Sequence, residues 1–518
     1  MAVSYGAGGA ISITRSSLAV VARTRSCTPV PASAVTHWDD ETDVLVVGYG
    51  CAGASAAWEA ATAGADVLVL ERASGAGGSS ALSGGEIYLG GGTTLQKENG
   101  VEDDPASMRA FLMAALGPGI DEAKVDAYVD GSVEHYDWLA SLGVPFDKGV
   151  YEELSWMPPT NDGLMWLGER TWPFTQVQQH VAPRGHRPAT GHFGGWLLMD
   201  KLAAAVRATG ARELFDVYVE RLVTDVTAEG VLRVVGVVAK QYGEQKAFRA
   251  RNAVVLTTGG FVDDEEMLAL HAPRLVGFDK VSSGNDDGSG IRMAQALGAD
   301  TLNMDAGQVG FHCVPALMAR GIVVNRLGQR FVNEDTYPGR VGQAALFQQG
   351  MGCWVITDEQ GFEDVPEADR WGMLPQHTAD TAAELEALTG LPTGSLEATI
   401  ALYNRHAAEG EDPLCHKDSR YLTPITPPYA AFDPRRSFRG PNDPSNGPGA
   451  AVFTLGGLRT DVAGHVLDVD GAPIPGLLAA GRATSGLPAW GYISGTSLGD
   501  GTYFGRLAGR TAVRAVSR

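Results

Sequence analysis

Residues 46–72 read VVGYGCAGASAAWEAATAGADVLVLER, which sets Gly48, Gly50 and Gly53 in a G-x-G-x-x-G pattern and puts Glu71 at the end of a second apolar run. These types at this spacing suit a nucleotide with a pyrophosphate. Gly48 permits the tight turn, Gly50 lets the backbone approach the phosphates, and Gly53 lets a helix pack on a strand. The helix start adds unpaired N–H groups and the positive end of a dipole. Glu71, 18 residues beyond Gly53, is placed to accept hydrogen bonds from a ribose diol. The run RASGAGGSSALSGGEIYLGGG follows directly, rich in glycine and hydroxyls. A one-piece nicotinamide site has no need of it, so FAD is the favoured dinucleotide.

The elements that must hold this turn flank it. TDVLVVG is a buried-strand pattern, Ala52 to Ala63 is an alanine-rich helical stretch, and ADVLVLE is a second strand, making a β-α-β unit. RNAVVLTTGG (251–260) gives another strand ending in glycines, and the alternating DVYVERLVTDV and VLRVVGVVAKQY before it predict a small antiparallel meander. Near the C-terminus, GGLRTDVAGHVLDVDGAPIPGLLAAGRATSG reads as short strands and turns, then GTSLGDGTYFGRLAGRTAVRAV as a glycine-started helix. The stretch between opens with helical GSGIRMAQALGA and closes in FDPRRSFRGPNDPSNGPGA. The expectation is an α/β protein: a Rossmann-like FAD-binding domain of the glutathione-reductase kind from 41–290 and 450–518, with an inserted α+β substrate domain from 291–449.

A chain of 518 residues with 44% hydrophobic composition is long enough for two or more buried cores. Its formal charge of −21 argues against nucleic acid or an anionic membrane as a partner. Cys27, Cys51, Cys313, Cys353 and Cys415 form no C-x-x-C pair, so neither a disulfide framework nor a thiolate metal site is suggested, and a reducing cytoplasm is the expected compartment. No apolar stretch reaches the length of a membrane span. Residues 1–38 hold no Asp or Glu, carry Arg15, Arg23 and Arg25, and end in CTPVPASAV, where ASA could pass for a signal-peptidase site. Their apolar part, SSLAVVA, is short and broken by serine. Residues 1–40 are expected to be a disordered extension, with an exported leader as the alternative, and the fold is expected to begin near Glu41.

From about residue 41 to 518 the chain resembles the fumarate-reductase-like flavoprotein superfamily. VVGYGCAGASAA, LERASGAGGSSALSGG, TTGGF, NDDGSGIRMA, GQRFVNE, GGLRTDVAGHVLDVDGAPIPGLLAAGR and SGTSLGDGTYFGRLAG carry the likeness. It implies FAD contacts at Gly48, Gly50, Cys51, Ala52 and Gly53, at Glu71, Arg72 and Ala73, and at Gly78, Ser79, Ser80, Ser83, Gly84 and Gly85. It also implies Val219 beside the adenine, Thr258 and Gly259 near the pyrophosphate, Asp287 near the ribityl chain, and Ser497 and Leu498 under the flavin carbonyl edge. Arg482 stands where many members carry Glu, next to the ribityl position. GGSSALSGG contains no histidine, so the implied FAD is non-covalent.

Reductases of this superfamily use an arginine shortly after RF-x-NE to clamp a dicarboxylate. Here GQRFVNEDTYPGR puts Tyr337 and Pro338 at that place, a phenol where a guanidinium fork would be. Arg340, at a different offset, keeps the fumarate or enoate reductase reading open. Tyr337 together with Tyr492 resembles the 3-ketosteroid dehydrogenases, and Tyr492-Ile493-Ser494 in PAWGYISGTSLGDG is closer to the Δ4-(5α) branch than to the Δ1 branch. The resemblance implies proton abstraction at C4 of a 5α-3-ketosteroid and hydride transfer from C5 to flavin N5, with Tyr337, Tyr492 and Ser494 as the catalytic residues. Such chemistry needs hydrogen-bond donors on the C3 carbonyl, for which Tyr492 and a backbone N–H near Gly495 are candidates, and a base. A free phenol titrates near ~10, so Ser494, Tyr337 and Tyr492 are read as one hydroxyl network that accepts the proton and relays it. The Δ1-dehydrogenase is the nearest alternative, and an electron-transfer subunit is a third. The electron acceptor is left open. Trp156, Met157, Trp166, Trp172 and Phe174, in a segment without helix or strand periodicity, read as a loop bordering an apolar cleft or as inter-domain core.

Overall fold

A computed structural model describes residues 27–436 and 447–514. Most of the expected N-terminal extension, with its three arginines, and the middle of the Pro/Gly-rich stretch lie outside the described residues.

Strand β1 (Asp40–Val47) buries all four of its last residues, Val44 to Val47, as a strand covered on both faces must. The chain turns through Gly48–Gly50 into α1 (Cys51–Thr62) and returns as β2 (Val67–Leu70), parallel to β1 with Val47 opposite Leu70. This is the predicted β-α-β unit. The predicted meander follows: β3 (Val217–Val226) pairs antiparallel with β4 (Leu232–Gln241), and β4 with β5 (Glu244–Leu256). The last of these is longer than RNAVVL, because the polar, alternating residues before it pair with β4. Its apolar end lies between β1 and β6 (Pro473–Ala479), with Leu256 opposite both Val47 and Ala479. The C-terminal ends of β1, β2, β5 and β6 are therefore level, and the loops leaving them gather at one edge of the nine-stranded sheet, where ligands of open α/β sheets bind.

Ordered structure starts before the expected boundary. Val30–Pro31 pairs parallel with Val223–Thr224 of β3, and the Trp38 ring lies against Gly236 of β4. A two-residue strand leaves no periodic signal to read. The same holds for a four-stranded sheet of Ile87–Tyr88, Gly185–His186, Asp162–Met165 and Asp147–Tyr151. It threads the segment read as a loop.

Between 291 and 449 the chain is α+β. The sheet Ile322–Asn325, Cys353–Asp358, Tyr429–Phe432 and His377–Ala379 is joined by the helices α2 (Pro338–Phe347) and Ser395–Glu409. A separate strand, Ala450–Thr454, pairs antiparallel with Gly307–Phe311, so a ladder crosses the expected boundary at 450.

The described residues end in α3 (Thr496–Arg514), packed on α1. A Cβ placed on Gly501, Gly505 or Gly509 would stand 2.7 Å from Cys51 Sγ, 2.5 Å from Ala52 O or 2.4 Å from Ala56 O. The two helices meet backbone to backbone. Among the described residues no helix is long and apolar enough to cross a membrane.

Candidate active site

The level strand ends open onto a cavity of about 620 Å³. At its floor, Gly48 has φ +100°, and a Cβ there would stand 2.5 Å from Thr257 O, so the turn after β1 accepts only glycine. Gly50, Cys51 and Ala52 line the cavity at the start of α1. Gly53 faces the other way: a Cβ on it would stand 2.0 Å from Gly48 O, which is the helix-packing role read from the motif. Glu71 lines the cavity with its carboxylate accepting the Tyr49 N–H at 2.7 Å and the Ala73 N–H at 2.8 Å. Ala73 itself is off the cavity wall; its backbone orients Glu71.

Gly78, Ser79, Ser80, Ser83 and Gly84 form the wall opposite, where Ser80 Oγ accepts the Cys51 N–H at 3.2 Å. Gly85 does not line the cavity; it packs on the Gly194 backbone, where a Cβ would come within 2.5 Å. Arg72, Val219, Thr258, Gly259, Arg482, Ser497 and Leu498 all reach the cavity.

Asp287 is not on this wall. Its carboxylate pairs with Arg72, whose Nη1 lies 3.0 Å away, while its neighbour Asp286 lines the cavity. Asp286 accepts from Arg482 Nη2 at 2.5 Å and from Ser79 Oγ at 3.3 Å. The chain then enters a turn at Gly288 (φ +66°). Arg482 also lies over the Phe453 ring at 4.9 Å. Thr258 Oγ1 and Ser497 Oγ are buried on this wall without a hydrogen-bond partner. Buried hydroxyls are rarely left so, and a dinucleotide's phosphate, ribityl and ring oxygens are the partners they lack. The glycine cradle and these two hydroxyls fit FAD.

The proposed catalytic hydroxyls converge on the same cavity. Tyr337, the residue preceding α2, donates to Ser494 Oγ at 3.3 Å and accepts from Gln308 Nε2 at 3.3 Å. Its ring lies 6.3 Å from that of Tyr492, which packs edge-on against Phe453 at 5.2 Å. Burial, and then the neighbouring Tyr492, push the Tyr337 phenol far above its ordinary value; burial also raises Tyr492. Both rings therefore stay protonated and serve as donors, and neither is a phenolate base.

Tyr337 is held from behind. Arg330 makes paired contacts to Glu334 (2.9 and 2.7 Å) and to Asp412 (2.9 and 2.7 Å), and Lys417 Nζ stands 3.3 Å from Glu334. These buried charges turn GQRFVNE into a brace three residues before Tyr337. Against the upward push of burial, Lys417 and Arg330 keep the Glu334 carboxyl below its ordinary range.

Arg340 does not join the site. Its guanidinium lies 4.9 Å over the Phe174 ring, on a second cavity shared with Trp172 and Asp412. Of the aromatic segment, Trp156 and Met157 line the active-site cavity. Trp166 carries Arg170, Trp172 stacks on His416, and Phe174 packs on Phe111. The segment is thus part cleft wall and part core. His312 is on the cavity wall, 4.0 Å from Asp279.

The family model described as FAD binding domain matches residues 43–498. The chain belongs to this flavoprotein family. The flavoprotein is similar to the crystal structure of 3-ketosteroid-Δ4-(5α)-dehydrogenase from Rhodococcus jostii RHA1 in complex with 4-androstene-3,17-dione, at 50% identity and a TM-score of 0.88 over 94% of this chain and 99% of that one. It is 30% identical over 492 residues to probable fumarate reductase Ifc3 of Shewanella frigidimarina, covering 92% of this chain and 75% of that protein. It is 28% identical to 3-oxo-5-alpha-steroid 4-dehydrogenase of Comamonas testosteroni, over 86% of this chain and 93% of that protein. The flavoprotein is an FAD-dependent oxidoreductase, as its sequence led us to expect.

Sequence reasoning missed Asp286, Gln308 and Glu86, all of which line the cavity. Glu86 carried a signal: it is the sole charged residue of GAGGSSALSGGEIYLGGG. Gln308 carried none.

Proposed function

We propose that this flavoprotein dehydrogenates a 3-ketosteroid, introducing the C4–C5 double bond of a 5α-3-ketosteroid. The observation that carries the reading is the Tyr337–Ser494 hydroxyl pair beside Tyr492 on the wall of the FAD cavity. The 50% identical relative whose crystal structure holds 4-androstene-3,17-dione supports the same substrate class. Arg340, the residue a dicarboxylate clamp would need, points to another cavity.

FAD, held by the glycine turn, Glu71 and Ser79, supplies the hydride acceptor. Tyr492 and the backbone N–H of Gly495 hold the C3 carbonyl and stabilise the negative charge that develops as the C4 proton leaves. Gly495 has φ +83°, and a Cβ on it would stand 2.5 Å from Tyr88 N, so the backbone itself lies against this wall. Ser494 Oγ, paired with Tyr337, receives the proton. Trp156, Met157 and Phe453 offer the flat steroid an apolar surface and keep water off the reacting carbons. An external two-electron acceptor completes the cycle. Among the described residues no cysteine is in a disulfide, and the cytoplasm is the compartment we assign.

Anaerobic mixing of the purified holoprotein with 5α-androstane-3,17-dione should bleach the flavin and yield the 4-ene. Bleaching chiefly by 4-androstene-3,17-dione, giving a 1,4-diene, would move the enzyme to the Δ1 reaction. Bleaching by neither ketone, with fumarate reoxidising the reduced protein, would replace the proposal with a reductase.

A further inference from the structure

A hydroxyl pair passes a proton on but does not keep it. Ser494 and Tyr337 each donate and accept, and neither has an acidity that would hold a proton through a catalytic cycle. The cavity wall must supply the group that does. Its carboxylates are Glu71, Glu86 and Asp286. Glu71 is committed to the N–H groups of Tyr49 and Ala73, and Asp286 to Arg482 and Ser79. Glu86 differs: it is buried, and its Oε1 has no hydrogen-bond partner.

Its placement is tight. A Cβ on Gly84 would stand 2.4 Å from Glu86 Oε2, and a Cβ on Gly495 would stand 3.2 Å from the Glu86 carbonyl carbon, so Glu86 lies beneath the residue that follows Ser494. It lines the same cavity as both phenols, and its charge opposes ionisation of Tyr337 and of Tyr492. The cation facing it is Arg187, whose two Nη atoms are spent on the carbonyls of Pro158, Thr160, Asp162 and Gly191.

We propose that Glu86 is the proton-holding group of the reaction and acts through Tyr337. The inference rests on the steroid-dehydrogenase reading above. For the transfer the Tyr337 hydroxyl turns from Ser494 towards the cavity: as the C4–H bond breaks, its proton bonds to Ser494 Oγ, the Ser494 proton moves to Tyr337 Oη, and the Tyr337 proton passes on to the Glu86 carboxylate. The electron pair of the C4–H bond becomes the C4–C5 double bond as hydride leaves C5. Glu86 then returns its proton to water before the next turnover. Burial raises the Glu86 carboxyl above its ordinary value, with Arg187 opposing, which brings proton uptake and release closer to neutral pH.

The test is the pH dependence of kcat/KM for the saturated ketone in the wild-type, Glu86→Gln, Tyr337→Phe and doubly substituted holoenzymes. The wild type should lose activity on the acid side with a midpoint above 4.5, the ordinary glutamate value. Glu86→Gln should load FAD normally, turn over at least about tenfold slower, and lack that acid limb. The double variant should be no slower than the slower single one, because both act on one proton path. Glu86→Gln with wild-type turnover and an unchanged acid limb would overturn the proposal, as would additive losses in the double variant. Should Glu86→Gln not fold, the wild-type profile decides alone: no acid limb down to the pH of unfolding overturns the assignment. Failure of the wild type to convert the saturated ketone is a different result, and it counts against the substrate reading rather than against Glu86.

Discussion

Tyr337 Oη and Ser494 Oγ stand 3.3 Å apart, one entering α2 and the other two residues ahead of α3. Two segments more than 150 residues apart in sequence meet at this hydrogen bond. If the pair accepts the C4 proton, Ser494→Ala should slow flavin bleaching by the saturated ketone by about a hundredfold or more, with FAD content unchanged. Stopped-flow absorbance reads it directly; near-normal bleaching would remove Ser494 from the mechanism.

If Tyr492 holds the C3 carbonyl, Tyr492→Phe removes that donor and leaves the ring packed on Phe453. We expect kcat to fall by about 10²- to 10³-fold while KM shifts much less, since the lost interaction strengthens as charge develops on the oxygen. A loss confined to KM would make Tyr492 a binding residue only.

The buried brace predicts a stability effect distant from the cavity. Glu334→Gln leaves Arg330 and Lys417 short of a countercharge inside the fold, and should cost about 3–5 kcal/mol in denaturant unfolding. A loss below about 1 kcal/mol would show that the cluster is wetter than its burial implies.

His186 gives a pH signature. It is fully buried, donates from Nδ1 to Arg184 O at 3.1 Å and accepts from Thr93 Oγ1 at 2.8 Å, and burial lowers its pKa to about 4. Between the unfolded value near 6.5 and the folded value near 4 the unfolded chain binds the extra proton, so stability falls as pH falls through that window. Between pH 7 and 5 the wild type should lose about 2 kcal/mol more than His186→Gln. Parallel curves for the two proteins would refute this.

The cofactor half of the site was legible because its chemistry is local. Gly48, Gly50, Gly53 and Glu71 lie on one β-α-β unit, where spacing alone fixes which residues meet. The long strand and the meander announced themselves by periodicity. Which of the adjacent acids Asp286 and Asp287 lines the cavity is a matter no spacing rule resolves; Asp286 does, and Asp287 pairs with Arg72. The strands 87–88, 162–165 and 185–186 were too short to show a period. Gln308 lines the cavity and donates to Tyr337, a relation the sequence does not encode locally.

The glycine row of α3 against α1 has a mechanical consequence. Side-chain layers yield and repack, but at Gly505 and Gly509 the nearest atoms of α1 are backbone, and at Gly501 only the Cys51 sulfur intervenes. The separation of their first turns is therefore set by atomic radii, much as a gauge block sets a gap. One helix starts at the dinucleotide turn and the other two residues after Ser494, so the glycine cradle and the Ser494 hydroxyl are tied together through this close helix contact.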